Sequence, residues 1–338
     1  MNNINLSASI KNKALDLGYD LCGFAKVDSM EEYASHLDER IKSFPESREL
    51  YESLYPMAFP QKDLEWAKSI IVCVRRYGKY IIPEEIDKYI GKAYLVDGRL
   101  KYSKEYSRKL EFEAYLESLG LKAAYSIVPA RLAAANAGLG YVGNNNFFYT
   151  KKYGSWVFIE TWVIDTELEY DQPTRSFNCP EGCNKCIDAC PTGALNNPFS
   201  MNRGKCIAQL TINPNLQSED LKTNMGTWIY GCDTCQNVCP MNKKKWEEKE
   251  DFIDISDVTQ YLSLENLWKM DEKTFLDVIQ PRFWYIGQDG LWIWKCNALR
   301  AMANSGDKKY YKYIKEAVKD SDSNIRDMAL WACQKLGI

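Results

Sequence analysis

The chain has 338 residues, 46% of them hydrophobic and 26% charged, with a formal net charge of −3. That length suits two or three globular domains, and the charge balance excludes a broad nucleic-acid-coating surface while leaving room for a local basic face. A single histidine, His36, stands in the charged helical stretch Glu31–Arg40, which excludes histidine metal triads and Ser-His-Asp hydrolases and leaves proton transfer to Asp, Glu, Tyr, Lys or water.

In chain order, residues 8–17 show helical apolar spacing and stop before Gly18. Tyr19 to Val27 reads as a strand, and a polar helical region follows to about Tyr55. Ile70-Ile71-Val72-Cys73-Val74 is a short β-rich run typical of a buried strand. Residues 84–118 are charged, tyrosine-rich and helical in period, and end at Gly120. Lys122–Val128 is a strand closed by Pro129, Arg131–Ala137 an alanine-rich helix, and Trp156–Ile164 a further strand. Strands alternating with helices predict an α/β domain over residues 1–170.

Gly138-Leu139-Gly140-Tyr141-Val142-Gly143 matches G-x-G-x-x-G. The dinucleotide reading fails, because a helix precedes the segment and Asn144-Asn145-Asn146 follows where a helix should open. A loop that lets a ligand approach the backbone and a plain helix cap both remain open.

Residues 171–245 hold eight of the twelve cysteines. Cys183-x2-Cys186-x3-Cys190-Pro191 and Cys232-x2-Cys235-x3-Cys239-Pro240 repeat the run that holds cubane clusters in bacterial ferredoxins. The x2 spacing brings two thiolates to one cube from a single turn, and the cysteine before proline ligates the other cube. The spacing therefore assigns one [4Fe–4S] cluster to Cys179, Cys183, Cys186 and Cys239, and a second to Cys190, Cys206, Cys232 and Cys235, with Cys206 supplying the leading ligand of the second run from a distance. Zinc is the competing reading, but zinc ribbons lack the x3-Cys-Pro tail. Cys22, Cys73, Cys296 and Cys333 lie in apolar patterns and are expected in cores.

A charged linker, Lys243 to Asp251, leads into helices over 263–279 and then three more at 291–303, 310–319 and 325–336. The last pair, with Asp322-Ser323-Asn324-Ile325-Arg326 at its turn, resembles a HEAT-repeat start, so residues 246–338 are expected to form a short helical cap. Lys308, Lys309, Lys312, Lys315 and Lys319 make a local basic stripe there. No apolar run approaches the ~18 residues of a membrane span, and Met1 to Leu6 carry no basic export region. A cytoplasmic location without a membrane partner is expected.

Leu17-Gly18-Tyr19-Asp20-Leu21-Cys22-Gly23-Phe24-Ala25, Ala137 to Asn144, Gly154-Ser155-Trp156-Val157-Phe158, Cys186 to Leu195 and Tyr230 to Pro240 together resemble the epoxyqueuosine reductase family over nearly the whole chain. The resemblance implies an N-terminal domain of the reductive-dehalogenase-like, cobalamin-binding type. It implies base-off cobalamin beside the two clusters, and removal of the epoxide oxygen from a modified tRNA base. It also implies a low-potential electron donor, a ferredoxin or flavodoxin. The corrin is expected against Gly138, Gly140, Tyr141, Val142, Gly143 and Asn144 and against the strand that begins at Ser155 and Trp156. The family carries an acid in a V-D-T-x-P-like segment. Here that segment is Tyr125-Ser126-Ile127-Val128-Pro129, so Ser126 takes the acid's place and a phenol, Tyr125 or Tyr141, becomes the expected proton donor. Tryptophans also stand in Leu291 to Asn297 where the family is basic. These departures frame two alternatives: a paralogue that reduces a small molecule, and an electron carrier or reductive activator serving a corrinoid protein.

Overall fold

The computed structural model describes residues 3–28, 30–173, 178–213 and 217–338. Its centre is a four-stranded sheet in the order β1 (Leu21–Lys26), β2 (Ser69–Arg76), β6 (Val157–Ile164), β3 (Ala123–Tyr125). Ile70 to Val74 are wholly buried, as their unbroken apolar run requires. All three pairings are antiparallel. This corrects the α/β expectation to α+β, since helix–strand alternation along the chain does not fix strand direction and the long connections here return each strand against its neighbour. The register sets Cys22 opposite Cys73 and Cys73 opposite Glu160.

Helices α1 (Asn3–Asp16) and α2 (Lys104–Ser118) cover one face, with Ile10, Ala14, Phe112 and Leu116 packed on Phe24, Ile71 and Trp162. Ser103 caps α2 by accepting from the Tyr106 N–H at 3.1 Å. Helix α3 (Ala130–Asn136) lies on the other face, where the short side chains Ala133, Ala134 and Ala137 allow close approach to Val72, Val74 and Val163.

Three local expectations change. The strand at 122–128 ends after Tyr125, because Ser126 adopts a left-handed φ of 58°. The helical stretch at 84–118 breaks into short turns before α2, with Gly91 N–H donating to the Tyr230 carbonyl at 2.9 Å. The C-terminal helices α4 (Leu291–Ser305), α5 (Tyr311–Ala317) and α6 (Ser323–Leu336) share one core with Tyr77 to Leu100 and with Ile229 and Tyr230. Packing thus runs across the boundary expected at 246. Asn297 ties α4 to the cysteine-rich region by donating to the carbonyls of Thr211 at 2.7 Å and Ile229 at 3.1 Å.

Candidate functional site

Each C-x2-C run folds as one helical turn, Lys185–Asp188 in the first and Thr234–Asn237 in the second. Both turns place a cysteine pair at one end, as local covalent spacing dictates. The thiols then separate into two groups by the fields they feel. Cys186 is pushed up to about 11 by burial, then by Cys239, Cys179 and Cys183. Cys235 is held well above the ordinary thiol value by burial, then by Cys232, Cys206 and Cys190. Among the described residues, no three His, Cys, Asp or Glu side chains gather closely enough to hold a single metal ion.

The second group faces a cavity and the first does not. Cys190, Cys206, Cys232 and Cys235 line a cavity of about 360 Å³ at the end of the sheet formed by Val157, Phe158 and Ile159. Tyr77, Tyr94 and Tyr285 form an aromatic wall. Asp233, in the wall, is buried and pushed up to about 6 by that burial, against the pull of Lys92. Arg99 stands at the rim, held by Asp97 (Nε to Oδ1, 2.9 Å) and donating to the Tyr285 hydroxyl at 2.9 Å. Its guanidinium also lies 4.6 Å from the Trp284 ring, and Trp284 stacks on Tyr285 with centroids 4.1 Å apart, both rings about 40% exposed.

The residues singled out in the sequence fall in different places. Of the eight expected to contact a corrin, Ser155 lines the cavity, while Gly138, Gly140, Tyr141, Val142, Gly143, Asn144 and Trp156 do not. The glycines are required by protein packing. A Cβ at Gly138 would stand 2.4 Å from the Gln172 carbonyl oxygen, and one at Gly140 would stand 2.1 Å from that of Tyr149. Asn144 N–H instead donates to Cys179 Sγ at 3.4 Å, so the loop backs the first thiol group. Tyr141 is stacked on Tyr149, with its phenol raised by burial and then by the Cys179 thiol. Trp156 sits in the largest core, edge-on to Tyr77.

Ser126 is exposed, its N–H donating to the Thr161 carbonyl at 2.9 Å. Tyr125 leans on Trp162, with Lys109 Nζ 4.4 Å from its ring and its phenol raised by burial and then by Glu160. Neither Ser126 nor Tyr125 reaches the cavity wall. The sequence reading missed Asn145, Phe147, Arg99 and Glu160. Glu160 had left one signal, a carboxylate inside the apolar strand Val157–Ile164. It accepts from the Tyr19 hydroxyl at 2.5 Å, and burial raises its carboxyl above the ordinary range.

Residues 178–242 match the 4Fe-4S double cluster binding domain family. An epoxyqueuosine reductase of Leadbetterella byssophila is 34% identical over 253 residues, which span 70% of this chain and 80% of that protein. One from Cyclobacterium marinum is 28% identical over 299 residues, 80% of this chain and 89% of the relative. Among solved structures, an epoxyqueuosine reductase with an epoxyqueuosine-modified tRNA-Tyr stem loop aligns with a TM-score of 0.78 at 26% identity, over 99% of this chain and 91% of the other. The Bacillus subtilis enzyme, with its catalytic aspartate loop swung out of the active site, aligns with a TM-score of 0.75 at 25% identity, over 98% and 90% of the two chains.

Proposed function

This chain belongs to the epoxyqueuosine reductase family, and from that premise we propose that it reduces epoxyqueuosine to queuosine in tRNA with two [4Fe–4S] clusters and cobalamin. The observation that carries the reading is the cavity at the sheet end with one complete set of four cysteines in its wall. An electron carrier needs no such chamber.

The ligand sets proposed are Cys179, Cys183, Cys186 and Cys239 for one cluster and Cys190, Cys206, Cys232 and Cys235 for the other. The mutual fields of the thiols support that division. Against zinc stands the x3-Cys-Pro tail of both runs, which zinc ribbons lack. A corrinoid would be held at the same cavity, whose wall is aromatic and bounded by thiols that would bring a cluster close. The one imidazole, His36, is exposed on the helix Glu31–Ser43 and bonded there to Glu39, so nothing in the wall offers a histidine lower ligand. We assign Ser155, Asn145, Phe148 and Val157 to hold it, in place of the glycine-rich loop. When bound there, reduced cobalamin would supply an electron-rich, nucleophilic cobalt.

The protein's own residues do the rest. Arg99, fixed by Asp97, and Tyr285 orient a flat polar nucleoside at the rim, and Trp284 offers its exposed ring to a neighbouring base of the stem loop. The aromatic wall keeps bulk water from the reacting centre. The segment from Tyr125 to Pro129 brings the proton, with Tyr125 as donor beside Ser126, on a loop that would have to close over the mouth. The relative whose catalytic loop is swung out supports such movement. The C-terminal helices are read as a HEAT-like unit flanking the tRNA, and the cytoplasm as the place of action. No helix among the described residues is long and apolar enough to cross a membrane.

Ser126 favours a second reading, a paralogue reducing a small molecule. The tryptophan substitutions lend it less support, because Trp294 is a core residue stacked on Tyr230. Anaerobically reduced protein loaded with both cofactors, incubated with an epoxyqueuosine-modified stem loop, separates the two. Queuosine by nucleoside analysis is expected, and its absence from fully loaded protein would leave the small-molecule reading standing.

A further inference from the structure

We infer that electrons reach the enzyme from a small acidic carrier protein, docked on a lysine patch beside Cys239. This rests on the ligand sets proposed above. The set lining the cavity is Cys190, Cys206, Cys232 and Cys235. The other set is absent from that wall, and its Cys179, Cys183 and Cys239 are partly exposed, so we take the cluster held through Cys239 as the one that meets an outside donor.

The surface around Cys239 is built from two short stretches that fold together. Asn242 Oδ1 accepts from the Ser155 N–H at 2.8 Å, and the Lys243 N–H donates to the Pro240 carbonyl at 3.2 Å. Lys245 Nζ then donates to the Lys151 carbonyl at 3.2 Å. These bonds gather Lys151 and Lys152 with Lys243, Lys244 and Lys245 on the chain that leaves the cluster. The first four are exposed. Among the described residues, none of the five has a carboxylate within 4.0 Å. Of the acids flanking these stretches, Asp20 accepts from the Arg76 N–H at 2.6 Å and Glu247 pairs with Lys249 at 2.9 Å, while Glu248, three residues past Lys245, is exposed. Beside them Val238, next to the ligand Cys239, is 38% exposed. A positive field around one small apolar contact above a redox centre fits a transient electron-transfer encounter, which uses little area and much steering. The first cysteine run carries both signs, with Glu181, Lys185 and Asp188 exposed, so the patch is one-sided and selects an acidic partner. Each encounter passes one electron: the carrier is oxidised, the cluster is reduced, and no bond changes.

The test follows cluster bleaching by stopped flow, which needs no epoxyqueuosine and so does not depend on the proposed substrate. Reduced flavodoxin serves as the acidic carrier and methyl viologen radical as a small donor. For wild type, the flavodoxin rate should fall by at least about tenfold as salt rises from about 20 to about 200 mM. The double variant K151E/K244E should lose about tenfold at low salt with flavodoxin, keep its viologen rate and keep its iron content, while K151Q/K244Q should lose less. An unchanged flavodoxin rate in the charge-reversed protein, or an equal loss with viologen, would overturn the proposal. Loss of iron in wild type would instead undo the cluster assignment on which it rests.

Discussion

The Asn145 amide donates to the Tyr149 hydroxyl at 2.8 Å and, from the same nitrogen, to the Cys235 carbonyl at 3.3 Å. The Tyr149 phenol in turn is raised by burial and then by the Cys239 thiol, and we expect its O–H to donate to that sulfur. One residue beyond the glycine-rich loop thus joins the two thiol sets. A hydrogen bond to a ligating sulfur favours the reduced, more negative cluster. Tyr149→Phe should therefore lower the potential of the Cys239 cluster. A bond worth about 1 kcal/mol corresponds to ~40 mV for one electron. Potentiometric titration followed by EPR reads the shift, and an unmoved potential would remove the bridge from any electronic role.

Cys206 is distant in sequence from the run it completes, yet Cys232 and Cys235 both feel its charge. Cys206→Ala is expected to halve iron and sulfide, from about eight of each to about four. The surviving cluster should be the one held by Cys179. Loss of neither cluster would show that another group fills that place.

Ser126 sits at a left-handed φ, where aspartate is better accommodated than most residues. Ser126→Asp should fold normally and raise kcat on the epoxyqueuosine stem loop by about 100-fold, the lower end of the ~10²–10⁴ range of general-acid effects. Tyr125→Phe should lower the wild-type rate by a similar factor. A Tyr125→Phe enzyme with full activity would take the proton away from this phenol.

Stacking a base on an exposed ring is worth about 1–3 kcal/mol. Trp284→Ala should weaken stem-loop binding by about tenfold. It should leave turnover of the free epoxyqueuosine nucleoside nearly as it was. Fluorescence titration and nucleoside analysis check the two halves, and equal loss on both substrates would mean that Trp284 only props up Tyr285.

Burial, opposed by Arg75, holds the Glu160 carboxyl above its ordinary range. Folding therefore favours the protonated acid. The cost is absent below the unfolded value, ~4.3, and grows as pH rises from there toward the raised folded value. Glu160→Gln keeps an acceptor for the Tyr19 hydroxyl without a charge to bury. Its Tm relative to wild type should be level near pH 4 and several degrees higher near pH 8. A difference that does not change with pH would mean that folding leaves the Glu160 carboxyl unshifted.

What the sequence determined by itself was local. The two C-x2-C-x3-C-P runs, the buried run from Ile70 to Val74 and the helix of short alanines at 130–136 are each set by spacing or period within a few residues, and they fold as read. The tertiary structure decided what depends on partners far along the chain. It made the sheet antiparallel, because direction is set by where the long connections return. It gave Gly138 and Gly140 to the carbonyls of Gln172 and Tyr149, since a glycine's spacing says that something comes close but not what. It set Glu160 beneath Tyr19, and it brought Arg99 and Tyr285, nearly two hundred residues apart in sequence, to one rim. A side chain's chemistry is written in the sequence, but its neighbours are chosen by burial and pairing across the whole chain. For that reason the two cysteine runs could be read from the sequence, while the cavity that Cys190, Cys206, Cys232 and Cys235 line could not.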